Sequence, residues 1–352
     1  MDLLKDYCLA HGAPSHENEV RNIFIKTLKG KGKISQDKMG GVLCTKESKT
    51  KDAPRVLITG HMDEVGFAVQ NITQEGFLQI TNLGGWWTHN LLAQRLTLQA
   101  HGGKKYRGVV ASTPPHFLSP AQRDQVLSIE NLFVDIGADS KEHVEKLGIR
   151  LGDTLVPESS FETLANPNLL LCKAFDNRVG IAVSTQAFLN LSKKSTPCHL
   201  LAAGTVQEEV GLRGAKVMAH HARPDVVLVL EGPPADDAPS MDRNSAQGAL
   251  GKGPQIRLMD PSAIMNRGLV EFVVSTAKKS KIPHQLTVRR SGGTDAGSFH
   301  QALEGIPCIV IGVPARYIHT HNSIIDKRDY LNTIKLVEKV TLGLTSKVVT
   351  SF

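Results

Sequence analysis

The sequence is poor in aromatic residues, at 5% of its 352 positions, and its two tryptophans, Trp86 and Trp87, are adjacent. A deep cleft lined with stacking platforms for bases or sugars is hard to build from so few rings. Cysteine is scarce and odd in number: Cys8, Cys44, Cys172, Cys198 and Cys308, with no C-x-x-C pair. That argues against a disulfide framework or a cysteine-ligated zinc and points to a reducing compartment. The longest apolar runs, such as Val226–Leu230, fall far short of the roughly 20 residues of a membrane-crossing helix. Charged residues from Asp2 and Lys5 onward leave no room for the apolar stretch of a secretory signal. There is no internal repeat and no low-complexity segment. These absences predict a cytoplasmic protein without a membrane partner.

What is present is ordinary for a globular chain, with 41% apolar and 21% charged residues. The length suits one large α/β domain, or a core domain with a smaller companion. The net charge of +7 is the unusual feature. The basic residues fall in short clusters: Lys29, Lys31 and Lys33; Lys104, Lys105 and Arg107; Lys278, Lys279 and Lys281; Arg289 and Arg290. None is a tail, and none is interleaved with repeated aromatics, so they read as solvated surface rather than a nucleic-acid face.

Residues 16–28 carry the apolar spacing of a helix, and Arg55–Thr59 reads as a strand ending at Gly60. From about 70 to 163 short alternating runs appear, separated by Gly, Pro and Asn, with one short helix near 140–147. After residue 170 helices and buried strands alternate: helix 176–191, strand 200–206, helix 212–220, strand 226–230, a helix over 261–278 opened by Asp260 and Pro261, strand 308–313 and helix 326–344. The fold class expected is α/β, a mixed, mostly parallel sheet flanked by helices, with an inserted small β-barrel domain. The boundaries expected are 1–69 with 164–352 for the discontinuous α/β domain, and 70–163 for the insert.

Five apolar elements run into residues of metal-binding type. One strand leads to His61-Met62-Asp63-Glu64, a second to Glu208-Glu209, a third to Glu231, a fourth to His319, and the segment Leu170–Phe175 to Asp176. Ligands gather outside the carboxyl ends of parallel strands, so all five are expected on one sheet edge. Carboxylates packed together bare repel one another, and divalent cations resolve this. A mixed His/carboxylate set suits zinc, cobalt or manganese. In His61-x-Asp63 one residue can bind metal while the other fixes the imidazole. In Glu208-Glu209 one can bind metal while the other faces substrate as a general base. Gly292-Gly-Thr-Asp-Ala-Gly297 lacks phosphate-loop spacing and reads as a turn, with Thr294 or Asp295 capping a helix.

At these residues the chain resembles the tetrahedral (TET), deblocking or glutamyl aminopeptidases, dinuclear metallopeptidases of the zinc exopeptidase clan. The stretches that carry the resemblance are Gly60-His-Met-Asp-Glu-Val-Gly-Phe67, Lys173-Ala-Phe-Asp-Asn-Arg-Val-Gly180, Val206-Gln-Glu-Glu-Val-Gly-Leu-Arg-Gly-Ala215, Gly292-Gly-Thr-Asp-Ala-Gly297 and Gly312-Val-Pro-Ala-Arg-Tyr-Ile-His319, with weaker matches at Gly84-Gly-Trp86 and Leu250-Gly-Lys-Gly-Pro254. The resemblance implies two divalent metal ions per subunit, zinc ahead of cobalt or manganese. Asp176 would bridge them, His61 and Glu231 would complete one site, and Glu209 and His319 the other. Glu208 would be the general base and Asp63 would orient His61. It further implies removal of N-terminal residues from peptides with a free N-terminus, with the inserted domain serving for dimerisation or as a lid. Homo-oligomers, dodecamers built from dimers, would be the assembled form. Glu231 departs from the Asp common at that position, and Glu there also occurs in carboxypeptidase-like hydrolases. The alternatives are therefore another metal-dependent exopeptidase or amidohydrolase, carboxypeptidase- or deacylase-like, or the endoglucanase label some relatives carry. A glycosidase usually needs an aromatic-lined cleft and two free carboxylates, and neither is in evidence here. Surplus positive charge along the substrate route would favour acidic N-terminal residues.

Overall fold

The computed structural model describes residues 1–239, 241–242 and 244–352. Four near-continuous apolar runs form its centre. The strands His199–Thr205, Arg55–His61, Val226–Glu231 and Cys308–Gly312 lie side by side in that order, all parallel, in a nine-stranded sheet. Strands with this little polar alternation must be covered on both faces. The helices Phe175–Ser192, Arg213–Ala222 and Arg267–Lys279 cover them, with Lys327–Gly343 packed on the first and third of these. The first of these packs between the sheet and Lys327–Gly343 and is buried around most of its circumference, as its apolar sequence requires. Antiparallel strands finish both sides of the sheet: Lys33–Gln36 and Val42–Lys46 on one, Gln255–Asp260 and Ala263–Ile264 on the other, with Gln285–Val288 parallel to Gln255–Asp260. The mixed, mostly parallel sheet expected from the sequence is present.

The short alternating runs close into a barrel of six antiparallel strands, ordered Gly66–Ile72, Leu78–Leu83, Phe133–Asp135, Lys105–Ala111, Arg95–Gln99 and Thr154–Pro157. Phe67, Leu78, Leu96, Leu98, Val134 and Leu155 fill a core separate from that of the sheet. Only the stretch Met62–Val65 separates the end of the Arg55–His61 strand from the first barrel strand. The barrel is tied down through Glu19, which accepts from Lys105 Nζ at 2.9 Å and Gln99 Nε2 at 3.2 Å. His11 Nε2 also meets Thr154 Oγ1 at 2.9 Å.

Two expectations are corrected. The helix expected over 261–278 begins only at Arg267, capped by Asn266, whose Oδ1 accepts from the Leu269 N–H at 3.0 Å. Asp260 instead ends a strand, and its Oδ1 accepts from the Ser262 and Ala263 N–H groups at 2.8 and 3.0 Å, closing a tight turn to Ala263–Ile264. An Asp side chain that satisfies the backbone locally competes with helix initiation, and here the turn wins. The segment before Asp176 is not a strand of the main sheet. Leu169–Cys172 pairs antiparallel with Ser323–Asp326 in a second, four-stranded sheet with Ala315–Arg316 and Glu162–Thr163. No described helix is long and apolar enough to cross a membrane.

A fully buried charge cluster locks the N-terminal segment beneath the sheet edge. Glu64 accepts from Lys173 Nζ at 2.5 and 2.6 Å and from Arg178 Nη2 at 3.0 Å. Arg178 also donates to the carbonyls of Tyr7, Ala10 and Gly12 at 2.6, 3.0 and 3.3 Å. Removing one partner of a buried pair strands the other charges without water. Glu64→Leu should therefore destabilise the protein by about 3–5 kcal/mol in urea unfolding. A loss under about 1 kcal/mol would show that the cluster carries no such weight.

Candidate metal and catalytic centre

The parallel strands deliver the site. Arg55–His61 ends in His61, which stands beside Thr205 at the end of the neighbouring strand, and Val226–Glu231 ends in Glu231. Gly60 allows the Asp176 helix to come close, since a Cβ there would stand 2.6 Å from the carbonyl carbon of Gly180. Asn177 ties that helix start to the next strand. Its Nδ2 donates to the Leu230 carbonyl at 2.7 Å, and its Oδ1 accepts from the Gly180 N–H at 3.0 Å. Asp176 and Asn177 are themselves non-helical and are joined by a cis peptide bond, and the helix has no side-chain cap.

Its carboxylate instead reaches between the two histidines. Asp176 Oδ1 lies 3.4 Å from His61 Nε2, and Oδ2 lies 3.5 Å from His319 Nε2. Around His61 Nε2 stand Glu208 Oε2 at 3.7 Å and Glu231 Oε2 at 3.8 Å; beside His319 Nε2 stands Glu209 Oε2 at 3.4 Å. Both outer ring nitrogens face carbonyls. His61 Nδ1 is 3.1 Å from the Asp63 carbonyl and 3.4 Å from its carboxylate, and His319 Nδ1 is 2.9 Å from the Gly85 carbonyl. A carbonyl only accepts, so each Nδ1 carries a hydrogen, and in the neutral ring each Nε2 turns its lone pair inward.

The donor set fits metal ions. Three groups of ligand atoms converge: His61, Asp176 and Glu231; Asp176, Glu209 and His319; and His61, Glu208 and Glu209. Two ligands about 2.1 Å from one tetrahedral cation lie about 3.4 Å apart, the scale of the separations found. Glu209 Oε1 and Glu231 Oε1 are buried with no donor on them among the described residues, as expected of acceptors kept for a cation.

All the residues singled out from the sequence, His61, Asp63, Asp176, Glu208, Glu209, Glu231 and His319, meet in this one place. Asp63 takes a position the sequence did not suggest. Its two carboxylate oxygens accept from the Glu208 and Glu209 N–H groups, each at 3.0 Å. Thr294 and Asp295 do not cap a helix with their side chains. Thr294 Oγ1 donates to Asp260 Oδ2 at 3.2 Å, and the buried Asp295 accepts from Thr205 Oγ1 at 2.5 Å. Residues missed from the sequence include Thr205, Glu17 and Arg257. Arg257 lines the same cleft, of about 420 Å³, with Leu212, Pro233, Gly292 and Gly293. Only the Gly84-Gly-Trp86 match hinted that the barrel end supplies the Gly85 carbonyl.

Burial governs the protonation of this centre. It raises Glu208 and Glu231 well above the carboxylate range, with His61 opposing and neighbouring acids adding to the rise. It raises Glu209 to about 7 and Asp295 to about 6. For Asp176 the same burial is outweighed by hydrogen bonds with His319 and His61, and its pKa is lowered. Burial would lower His319, but Asp176 and Glu209 lift it to about 9.

The chain is similar to known proteins over most of its length. Residues 40–336 match the M42 glutamyl aminopeptidase family. The chain is 36% identical to a glutamyl aminopeptidase of Lactococcus lactis over 89% of its own length and 87% of that protein's. It superposes on the TET aminopeptidase of a marine sediment Thaumarchaeota archaeon with a TM-score of 0.96 at 39% identity, covering 100% of this chain and 98% of that one. It superposes on the TET1 peptidase of Pyrococcus horikoshii, which can assemble into a tetrahedron or a large octahedral shell, with a TM-score of 0.86 at 30% identity, covering 97% and 99%.

The protonation pattern sets a direction for stability. Glu209 and His319 both have folded pKa values above their ordinary ones. Each thus stabilises the metal-free fold at low pH, and each loses that contribution as pH rises through about 7 and about 9 respectively. Chelated protein should show a melting temperature that falls from pH 5 to pH 9, and divalent cations should raise it more at the alkaline end. A flat or rising profile for the chelated protein would contradict this.

Proposed function

The chain belongs to the M42 glutamyl aminopeptidase family, and we propose that it removes N-terminal residues from peptides with Glu208 as general base at a two-cation centre. The observation that carries this reading is the division of the site around Asp176. Each of its oxygens faces a different histidine, each histidine has its own glutamate, and Glu208 is the acid left over. His61, Asp176 and Glu231 would hold one cation, and Asp176, Glu209 and His319 the other. The cations, zinc ahead of cobalt or manganese, would supply Lewis-acid polarisation of the scissile carbonyl and lower the pKa of the attacking water.

Glu208 removes the water proton and returns it to the leaving amine. Its burial among other acids favours a raised pKa, which suits a group that must both take and give a proton. Asp63 orients His61 through the contacts at His61 Nδ1 and aims Glu208 and Glu209 through their N–H groups. A free substrate α-amine, seated in the centre beside these acids, accounts for action at N-termini. Arg257, with Nη1 shared with Asp260 at 3.0 Å, lines the cleft and would place positive charge near an acidic first residue.

The segment 70–163 reads as an inserted domain for dimerisation or lid formation. Leu92, Val109 and Val126 are exposed in an apolar groove on it, and patches of that kind favour self-association. With the assembly of the TET1 relative, one structure of which is a dodecamer, this supports a dodecamer built from dimers. Five free, buried cysteines suit the cytoplasm.

Metal-loaded protein should cleave aminoacyl-anilides, acidic ones among the better, and should spare peptides with an acetylated N-terminus. Glu208→Gln should lower kcat by about 10²–10⁴-fold. Equal activity of Glu208→Gln and wild type would sink the assignment of the base. Sedimentation should give a particle of dodecamer size, and a metal-loaded monomer would remove the assembly.

A further inference from the structure

We propose that Glu17 is a positioning residue for the Glu208–Glu209 pair, holding one N–H of a backbone ladder whose next two N–H groups Asp63 holds; this rests on the reading of Glu208 as the base. The Gln207 N–H donates to Glu17 Oε1 at 3.2 Å, the Glu208 N–H to Asp63 Oδ1 at 3.0 Å and the Glu209 N–H to Asp63 Oδ2 at 3.0 Å. Three consecutive amides are thus received by two buried acids from different parts of the chain.

The first of these residues needs holding. Gln207 has φ 56, a left-handed conformation that a residue with a Cβ avoids unless its surroundings fix it. Rotation of Gln207 toward the extended region would turn the Gln207–Glu208 peptide and swing the Glu208 carboxylate away from His61. The same turn continues past the pair, because the Gly211 and Leu212 N–H groups both donate to the Glu208 carbonyl, at 3.0 and 2.9 Å. Glu208 is therefore gripped on its C=O side by its own turn and on its N–H side by Asp63, with Glu17 setting the residue before it.

Glu17 is placed for this, and the same oxygen serves one further N–H. It precedes the helix Asn18–Leu28 but does not cap it with its side chain. It is only 2% exposed, and Oε1 also accepts from the Ser15 N–H at 2.9 Å. A side chain that merely filled space would be apolar, since burying an acid beside another acid is costly. Burial, with Asp63 nearby, pushes its pKa up to about 7. What the turn uses is the acceptor oxygen rather than the charge, so a neutral amide of equal reach should serve.

The test compares wild type, Glu17→Ala, Glu17→Asp, Glu17→Gln and Glu208→Gln in their metal-loaded, assembled forms. The readouts are kcat and KM on an aminoacyl-anilide, bound metal per chain, and hydrogen–deuterium exchange of the 205–212 segment. Glu17→Ala and Glu17→Asp should lower kcat about ten- to a hundredfold with KM changed less than about twofold, the signature of a misplaced reacting group. Their metal content should match wild type and their 205–212 amides should exchange faster. Glu17→Gln should restore kcat to within about threefold of wild type and restore slow exchange. If Glu17→Ala fails to fold, Glu17→Asp carries the comparison. The proposal is overturned if both shortened variants keep kcat within about twofold of wild type. It is also overturned if Glu17→Gln is as impaired as Glu17→Ala, or if lost metal accounts for the lost rate. A fully active Glu208→Gln would defeat the assignment of the base, while the exchange data would still decide whether Glu17 holds the turn.

Discussion

The constraint on which this molecule turns is the crowding of carboxylates out of water. Asp176, Glu208, Glu209 and Glu231 point into one small space, with Asp63 and Asp295 directly behind them. Desolvated like charges repel, and protons relieve that only by neutralising the acids. Two histidines with inward lone pairs add acceptors, not donors, when neutral. Cations are the partners that suit all of these groups together.

The rest of the architecture reads as the means of holding such a set in place. Parallel strands bring His61, Thr205 and Glu231 to one edge without any of them having to choose its direction locally. Gly60 and Asn177 let a helix start press against that edge so that Asp176 can reach both histidines. The barrel closes the ring of support through the Gly85 carbonyl on His319, so it contributes to the centre's geometry. Below the edge, Glu64 with Lys173 and Arg178 fastens the N-terminal segment to the same region.

Much of this was legible in the sequence because the signals were strong and local. Apolar runs that end in His, Asp or Glu announce buried strands leading to a site, and every residue so marked is found there. The alternating texture from about residue 70 announced the barrel, whose first strand in fact begins at Gly66. What stayed hidden depends on distant pairing. Leu169–Cys172 looks like any buried strand, and only its pairing with Ser323–Asp326 removes it from the main sheet. Asp260-Pro261 has the composition of a helix start, yet the Asp260 side chain bonds Ser262 and Ala263 first. Glu17 sits in a polar stretch before a helix, where an acid normally faces solvent, and nothing local shows that it meets Gln207 from 190 residues away.

The central claim is that the acids converge because they share two cations through Asp176. Metal content per chain of wild type and Asp176→Ala, after loading with zinc and removal of the excess, tests it most directly. Two ions per chain in wild type and a loss of both in the variant is the result expected. Wild type that retains no metal, or an Asp176→Ala protein that still holds two ions, would contradict it.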